Sequence, residues 1–148
     1  MIQTMKLCYD YAINYLYRYP KTEQDLRIKL YQKWYASSDV DETMQALKSK
    51  WYINDKMFAE SYVRSEVVNK GKPPFLLRKK LEQRGIDRRI LDEVFKTYEG
   101  DMQEGIEWRI KKEIEQYKKK WIDGFDIIQK LLRKGYKLDD VKRVIEKK

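Results

Sequence analysis

The amino-acid sequence predicts an all-α protein, an elongated array of three tandem three-helix repeats. Apolar residues recur at intervals of three and four along several segments, which is typical of helices that bury one face. Six Gly and three Pro in 148 residues are too few for a turn-rich β protein, and strict apolar–polar alternation of useful length is missing. The clearest helical stripe consists of Ile106, Ile110, Ile114, Tyr117 and Trp121.

An internal repeat supports the same fold class. A shift of 50 residues superposes spaced apolar residues and a glycine on an equivalent set further along the chain. The repeats are placed at residues 1–52, 53–99 and 100–148, each with a longer helix, a short helix, a tight turn and a third helix. A unit of about 50 residues buries too little surface to be stable alone, so we expect neighbours to stack. The matched residues are Leu77, Leu81, Gly85, Leu91 and Val94 with Ile127, Leu131, Gly135, Val141 and Val144.

The first repeat differs from the other two at its turn. The second helix of the first repeat aligns with that of the central repeat at a shift of 51 residues, but its third helix aligns at a shift of 47. The difference predicts four extra loop residues around Ser37 and Ser38. Trp34 stands where the other repeats have Gly, so we expect a different turn conformation there.

Capping residues predict the helix boundaries in chain order. Thr22, followed three residues later by Asp25, resembles a capping box. Pro73 and Pro74 end one helix and open the next, where a missing N–H is tolerated. Short side-chain acceptors predict further helix starts at Asn54, Asp87 and Asp139.

Gly85 and Gly135 are predicted to end their helices in the left-handed conformation. An apolar residue follows each glycine and is expected to lie near a leucine of the preceding helix. The expected pairs are Ile86 with Leu81 and Tyr136 with Leu131.

Composition excludes most kinds of catalytic site. The chain has no His, which removes the commonest general base and the usual nucleophilic triads. Its single cysteine, Cys8, excludes an intramolecular disulfide and multi-Cys zinc sites, and is interpreted as a small buried hydrophobe. No run of 18 apolar residues occurs, so we expect a soluble cytoplasmic protein that does not enter a membrane. We predict a binding protein with no catalytic residue, metal or cofactor.

Positive charge is concentrated in the second and third repeats. The chain carries 33 Lys and Arg against 24 Asp and Glu, a net charge of +9, whereas residues 1–50 are only +2. Residues 64–89 are +6, residues 109–120 are +4, and residues 130–137 carry four basic side chains and no acidic one. Such clusters suit nucleic acid or an acidic protein groove. The alternative is that they only solvate helix faces.

Aromatic residues have two interpretations. Phe58, Phe95, Tyr117 and Trp121 lie on apolar stripes and are predicted to pack in the core. The alternative is that some aromatics stack on single-stranded bases. The first helix has more tyrosines than one stripe can bury, so some rings must be exposed or lie at an interface. These tyrosines are Tyr9, Tyr11, Tyr15, Tyr17 and Tyr19.

The central repeat begins with a distinctive segment, Asn54–Arg64, which contains an Asp, a Phe-Ala pair and a Tyr-Val-Arg run. In these residues the segment resembles the signature helix of the RecX regulatory family. The match continues through Lys70-Gly71-Lys72, the Leu77…Leu81 pair and Arg84-Gly85-Ile86-Asp87. The flanking repeats match in register, so the resemblance covers essentially the whole chain.

The resemblance implies a modulator of the RecA recombinase, bound in the helical groove of the RecA–DNA filament. RecA is thus the expected partner, single- and double-stranded DNA are further expected partners, and the high net charge favours a monomer. Two alternatives stay open: a nucleic-acid-binding helical module without a RecA role, and a structural adaptor for an unrelated acidic partner. The candidate surface for RecA or DNA consists of Arg64, Lys70, Lys72, Arg78, Lys79, Arg84, Arg88, Arg89, Lys118, Lys119 and Lys120.

Overall fold

The computed structural model describes residues 2–147, with side chains from residue 4 onwards. Within that range every regular element is a helix, which confirms the all-α prediction. The helices are α1 (Ile2–Arg18), α2 (Glu23–Gln32), α3 (Ser37–Ser49), α4 (Asp55–Val63), α5 (Pro74–Gln83), α6 (Arg88–Thr97), α7 (Glu99–Lys119), α8 (Gly124–Arg133) and α9 (Leu138–Glu146). A π-helical segment, Arg64–Asn69, continues directly from α4.

The helices follow the repeat that the sequence predicts. A long helix is followed by a ten-residue helix, and then, after residues 33–36, 84–87 or 134–137, by a third helix. The prediction of extra loop residues around Ser37 and Ser38 is wrong, because both belong to the first turn of α3. Asp39 lies in the same turn, where an acidic side chain favours the helix amino terminus. The first repeat therefore has a longer third helix rather than a longer loop.

The chain forms two compact units. One consists of the chain through residue 59 together with residues 81–91, and the other of residues 60–80 and the chain from residue 92 onwards. The predicted second repeat, 53–99, therefore contributes segments to both units.

The core of the first compact unit forms where the apolar faces of α1, α2 and α3 meet. Cys8 is fully buried there, as predicted, and burial raises the pKa of its thiol. Tyrosines of α1 pack against this core while remaining partly exposed. The buried cluster consists of Cys8, Ala12, Leu26, Leu30, Val40, Met44, Leu47 and Ile53.

In the second compact unit, α7 packs against the π-helical segment, α8 and α9. The α7 residues Ile106, Ile110 and Ile114 are buried, which confirms the predicted stripe up to that point. Gly105 allows the close approach of the π-helical segment, because a Cβ there would lie 2.5 Å from the carbonyl oxygen of Val68.

Most of the predicted caps are present. The Thr22 hydroxyl accepts a hydrogen bond from the Asp25 amide at 3.2 Å, and Asn54 caps α4 through the Met57 amide at 3.0 Å. The Asp87 carboxylate likewise accepts from the second amide after it, at 2.7 Å. Asp139 does not start its helix, since α9 begins one residue earlier and Asp139 lies in its first turn.

The two predicted glycine turns are confirmed. Gly85 and Gly135 have φ values of 84° and 105°, in the left-handed region. The Ile86 amide donates to the Leu81 carbonyl at 3.2 Å. This bond to the carbonyl five residues earlier is the characteristic 6→1 hydrogen bond of a Schellman cap. Tyr136 makes the same bond to Leu131 at 3.3 Å.

Candidate interaction surface

Several of the predicted basic residues of the second compact unit lie beside aromatic rings or carboxylates. The Arg64 guanidinium lies 5.9 Å from the ring centre of Tyr98, whose hydroxyl donates to Glu60 at 3.1 Å. Lys79 lies 4.6 Å from the ring centre of Phe75, which is itself exposed. Stacking of this kind presents a charged head and an apolar ring on the same surface.

Lys70 and Lys72 are brought together by one carboxylate. Their ammonium groups lie 3.3 Å and 3.0 Å from the same oxygen of Glu66. The hydrogen bond from Lys72 is the largest cause that holds the pKa of the Glu66 carboxyl below its ordinary value. These two lysines therefore form one cluster whose charge is partly neutralised.

Two of the predicted arginines are held in ion pairs. Arg78 pairs with Asp92 and stacks over Phe95 at 5.6 Å, within the second compact unit. Arg84 pairs with Asp25 at 2.6 Å in the first compact unit.

Arg84 has structural contacts beyond that pair. Its guanidinium lies 4.5 Å from the ring centre of Phe58, and its carbonyl accepts from the Thr22 hydroxyl at 2.8 Å. These contacts fix the turn after α5 against the start of α2, so Arg84 contributes to the fold of this unit as well as to its charge.

The remaining predicted residues are exposed at helix ends. Arg88 and Arg89 open α6, while Lys118 and Lys119 end α7 with Lys120 directly after them. Lysines at a helix carboxyl terminus interact favourably with the helix dipole, which gives them a structural role too.

Exposed tryptophans at helix ends are a feature that sequence reasoning missed. Trp34, Trp51 and Trp121 have φ values of 65°, 63° and 61°, in the left-handed region that bulky residues rarely adopt. The expectation of a different turn at Trp34 is wrong, because its neighbours form the same Schellman cap as at the glycine turns. The Trp34 amide donates to Tyr31 at 2.9 Å, and the Tyr35 amide to Leu30 at 3.4 Å.

The prediction that Trp121 packs in the core is also wrong. Helix α7 ends at Lys119, so the apolar stripe does not extend to Trp121, which is 95% exposed. The other aromatics in that prediction, Phe58, Phe95 and Tyr117, are half-buried.

The sequence Lys-Trp-Tyr occurs twice in the first compact unit. Lys33-Trp34-Tyr35 follows α2, and Lys50-Trp51-Tyr52 follows α3. In each triplet the lysine covers a tyrosine of α1: Lys33 lies 5.6 Å from the ring centre of Tyr11, and Lys50 lies 5.3 Å from that of Tyr9. The tryptophans are 92% and 72% exposed. The recurrence of Lys-Trp-Tyr is the sequence signal that would have identified these turns.

Tyrosine rings continue from the first triplet along α1. The Tyr11 ring lies 6.0 Å from Tyr35 and 6.1 Å from Tyr15, and Tyr15 lies 5.3 Å from Tyr19. Lys29 covers the Tyr15 ring at 5.4 Å. Some tyrosines of α1 are well exposed, as predicted, with Tyr17 91% exposed. We call this the tyrosine row: Tyr35, Tyr11, Tyr15 and Tyr19.

A shallow depression of about 380 Å³ borders the tyrosine row. Basic side chains supply much of its lining, with the Tyr15 ring beside them. It is lined by Tyr15, Lys21, Asp25, Ile28, Lys29, Gln32 and Arg84. The first repeat therefore places positive charge beside aromatic rings, although its net charge is small.

The described part of the chain offers neither a metal site nor a membrane-spanning helix. No group of three or more Cys, Asp or Glu within residues 2–147 is arranged to hold a metal ion. Over the same range, no helix combines the length and apolar character needed to cross a membrane.

The repeated helices and left-handed turns define a tandem helical-repeat protein. Family models describe the same architecture: the first three-helix domain of RecX matches residues 8–47, and the second matches residues 54–94. The chain belongs to the RecX family of regulatory proteins.

Relatives and a solved structure agree with this assignment. The chain is 29% identical over 137 residues to the regulatory protein RecX of Haemophilus influenzae strain PittEE, covering 90% of each chain. It is 28% identical over 135 residues to that of Geobacillus kaustophilus strain HTA426, covering 89% of this chain but only 50% of the relative. The crystal structure of RecX from Lactobacillus salivarius superposes with a TM-score of 0.81 at 27% identity, covering 99% of this chain and 97% of that one.

Proposed function

We propose that this protein binds the RecA recombinase filament on DNA and restrains it, acting in the cytoplasm as a monomer without catalytic activity or cofactor. Membership of the RecX family is the observation that carries the proposal, since both three-helix domain models match in order along one chain. Restraint would lower ATP hydrolysis and strand exchange by RecA, and with them its activity in the SOS response.

The charge distribution supports an electrostatic contribution to this binding. The filament offers DNA phosphates and acidic protein surface, and the net charge of this chain is +9. We propose three repeats, 1–52, 53–99 and 100–148, of which the second and third carry the surface for RecA or DNA. Lys70, Lys72 and the lysines that end α7 are exposed members of this surface.

RecA ATP hydrolysis on single-stranded DNA tests the proposal, with this protein titrated at fixed salt beside a naked-DNA binding curve. Inhibition at concentrations well below those that coat the DNA is the expected result. Inhibition that only follows coating, or none at all, would contradict a direct action on RecA.

Matched variants test the surface. Changing Lys118, Lys119 and Lys120 to Gln should weaken inhibition, because three charges of the proposed surface are removed. A control changes three exposed lysines elsewhere and alters the net charge equally. The control set is Lys6, Lys96 and Lys142, whose replacement should have the smaller effect.

A second candidate function is nucleic-acid binding without a RecA role. The two Lys-Trp-Tyr triplets favour it, because exposed rings beside lysines suit single-stranded bases and phosphates. This candidate predicts that the protein binds naked DNA and affects RecA only by covering its DNA.

A further inference from the structure

We infer that each of the two Lys-Trp-Tyr triplets of the first compact unit binds single-stranded nucleic acid, with Trp34 and Trp51 stacking on unpaired bases. The inference deepens the nucleic-acid binding given under the proposed function, and it rests on that part of the proposal. It concerns the repeat with the smallest net charge, where charge counting alone does not point to a site.

The fold itself does not explain these tryptophans. A residue with a Cβ is strained at a φ near 64°, and other helices of this chain end with Gly in the same conformation. Trp34 and Trp51 are 92% and 72% exposed, so neither indole contributes much buried apolar surface in return. Unfavourable backbone geometry combined with an exposed aromatic ring points to a role in binding.

The surroundings of the rings select the ligand. Trp34 lies between Lys33 and Tyr35, and both of these contact Tyr11, from which the tyrosine row continues to Tyr19. Flat rings at the ends of helices, with ammonium groups beside them, match a strand of unpaired bases joined by phosphates. A duplex hides its base faces, and an acidic peptide would use the lysines but leave the indoles uncovered.

Phosphates have further basic partners beside the tyrosine row. Lys21, Lys29 and Arg84 line the 380 Å³ depression that includes the Tyr15 ring. Arg84 is already paired with Asp25 at 2.6 Å, so Lys21 and Lys29 are the groups we expect to contact phosphate. A strand bound along the tyrosine row would thus contact Trp34 at one end and these lysines further along.

The test measures binding of a fluorescent oligothymidylate to the full chain by anisotropy, in the absence of RecA, at several salt concentrations. Trp34→Gly and Trp51→Gly should each weaken binding by about fivefold or more, which is the expected effect of losing one aromatic–base stack. Because glycine is unstrained at these positions, the melting temperature should not fall, and lost binding cannot be ascribed to unfolding. The control, Trp108→Phe, changes a half-exposed tryptophan within the regular helix α7 and should leave binding unchanged.

Salt separates stacking from charge. Trp34→Gly should leave the slope of log K against log salt unchanged, since no charge is removed. Lys33→Gln should reduce that slope by about 0.7, the value for one phosphate contact on a single strand. A tryptophan variant that alters the slope, or a lysine variant that does not, would contradict the assigned roles.

Other ligands complete the test. Polyglutamate is tested as a competitor of the oligonucleotide. If it competes, and if the tryptophan variants also lose polyglutamate binding, the inference is overturned in favour of an acidic protein partner. Equal binding of single strands and duplex, independent of both tryptophans, would overturn it too. RecA ATP hydrolysis is measured with the same variants. If oligonucleotide binding does not depend on the tryptophans while the protein still inhibits RecA, this inference is rejected and the proposed function stands.

Discussion

The hydroxyl of Tyr136 donates a hydrogen bond to the carbonyl oxygen of Gly71, 2.8 Å away and 65 residues earlier in the chain. Tyr136 is the residue after the left-handed Gly135, and its side chain is buried. Gly71 also has a positive φ, of 72°, and follows the π-helical segment. A single side chain thus connects two irregular turns of the second compact unit.

Replacing Tyr136 by Phe tests that connection. The Gly71 carbonyl would be left without its buried donor, so we expect the free energy of unfolding to fall by about 1–3 kcal/mol. Urea denaturation measures the change. Tyr17→Phe, at a tyrosine that is 91% exposed, is the matched control and should have almost no effect. Equal stabilities for both variants would contradict the role given to Tyr136.

The same tyrosine predicts a pH dependence. Burial is the main cause that raises the pKa of Tyr136 from its ordinary value of 10 to about 12. In the unfolded chain the phenol ionises at lower pH than in the fold, so its contribution is complete below pH 10 and is lost as the pH rises to about 12. The stability difference between wild type and Tyr136→Phe, measured by denaturation at each pH, should therefore shrink over that interval. A constant difference would contradict the pKa shift.

Alanine substitution at two glycines of α7, Gly105 and Gly100, is predicted to change the stability of the protein in opposite directions. A Cβ at Gly105 would lie 2.5 Å and 2.6 Å from the carbonyl oxygens of Val68 and Val67, both backbone atoms that cannot move aside cheaply. Gly105→Ala should therefore destabilise the protein by roughly 1–3 kcal/mol, although alanine is the better helix former. At Gly100, in the same helix, a Cβ would meet no atom within 4 Å. Gly100→Ala should instead stabilise by up to about 1 kcal/mol in the same denaturation assay, and two changes of the same sign would argue against close packing at Gly105.

The tryptophan turns predict a gain in stability on substitution. Trp121 has a φ of 61° and is almost fully exposed, so glycine there relieves strain without removing a buried contact. Part of that gain is lost because glycine makes the unfolded chain more flexible. We expect Trp121→Gly to raise the free energy of unfolding by about 0.5–1 kcal/mol in thermal or urea melts. A loss of more than 1 kcal/mol would mean that the indole stabilises the fold.

The helices could be predicted from the sequence because periodicity and capping are local. Ile106, Ile110 and Ile114 share a face by spacing alone, and Thr22 needs only the amide three residues ahead. The turn at Trp34 could not, since propensity favours glycine in the left-handed region. The backbone adopts the left-handed conformation at Trp34 anyway, because the hydrogen bonds of the Schellman cap satisfy the last carbonyls of α2.

The candidate surface was less predictable because pairing between distant residues decides which charges remain available. Arg84 is neutralised by Asp25, 59 residues earlier, and counting charges along the chain cannot show this. Arg78 and Asp92, 14 residues apart, meet only because α5 and α6 fold towards each other. Conversely, the row from Tyr11 to Tyr19 has the regular spacing of a helix face, but the lysines that cover it, Lys29 and Lys33, come from α2 and the turn after it.

Glu66 provides a prediction for the lysine cluster of the second repeat. Its carboxylate holds both Lys70 and Lys72, so Glu66→Gln removes the negative charge that partly neutralises them. We expect tighter binding of oligonucleotide, or of the RecA filament, and a steeper dependence of log K on log salt, because both ammonium groups become available to phosphates or carboxylates. Anisotropy titrations at several salt concentrations measure both quantities.

Glu115→Gln is the matched control, since it changes the net charge by the same amount at an exposed position of α7. If the cluster contacts the ligand, Glu66→Gln should strengthen binding several-fold more than Glu115→Gln, because the local charge changes where the ligand lies. If only the overall charge matters, the two variants will behave alike. Each raises the net charge by one, and a charge beyond the screening length acts on the ligand only through that net charge. That equality would remove Lys70 and Lys72 from the interaction surface, whereas a clear difference would place the ligand beside the π-helical segment that positions Glu66.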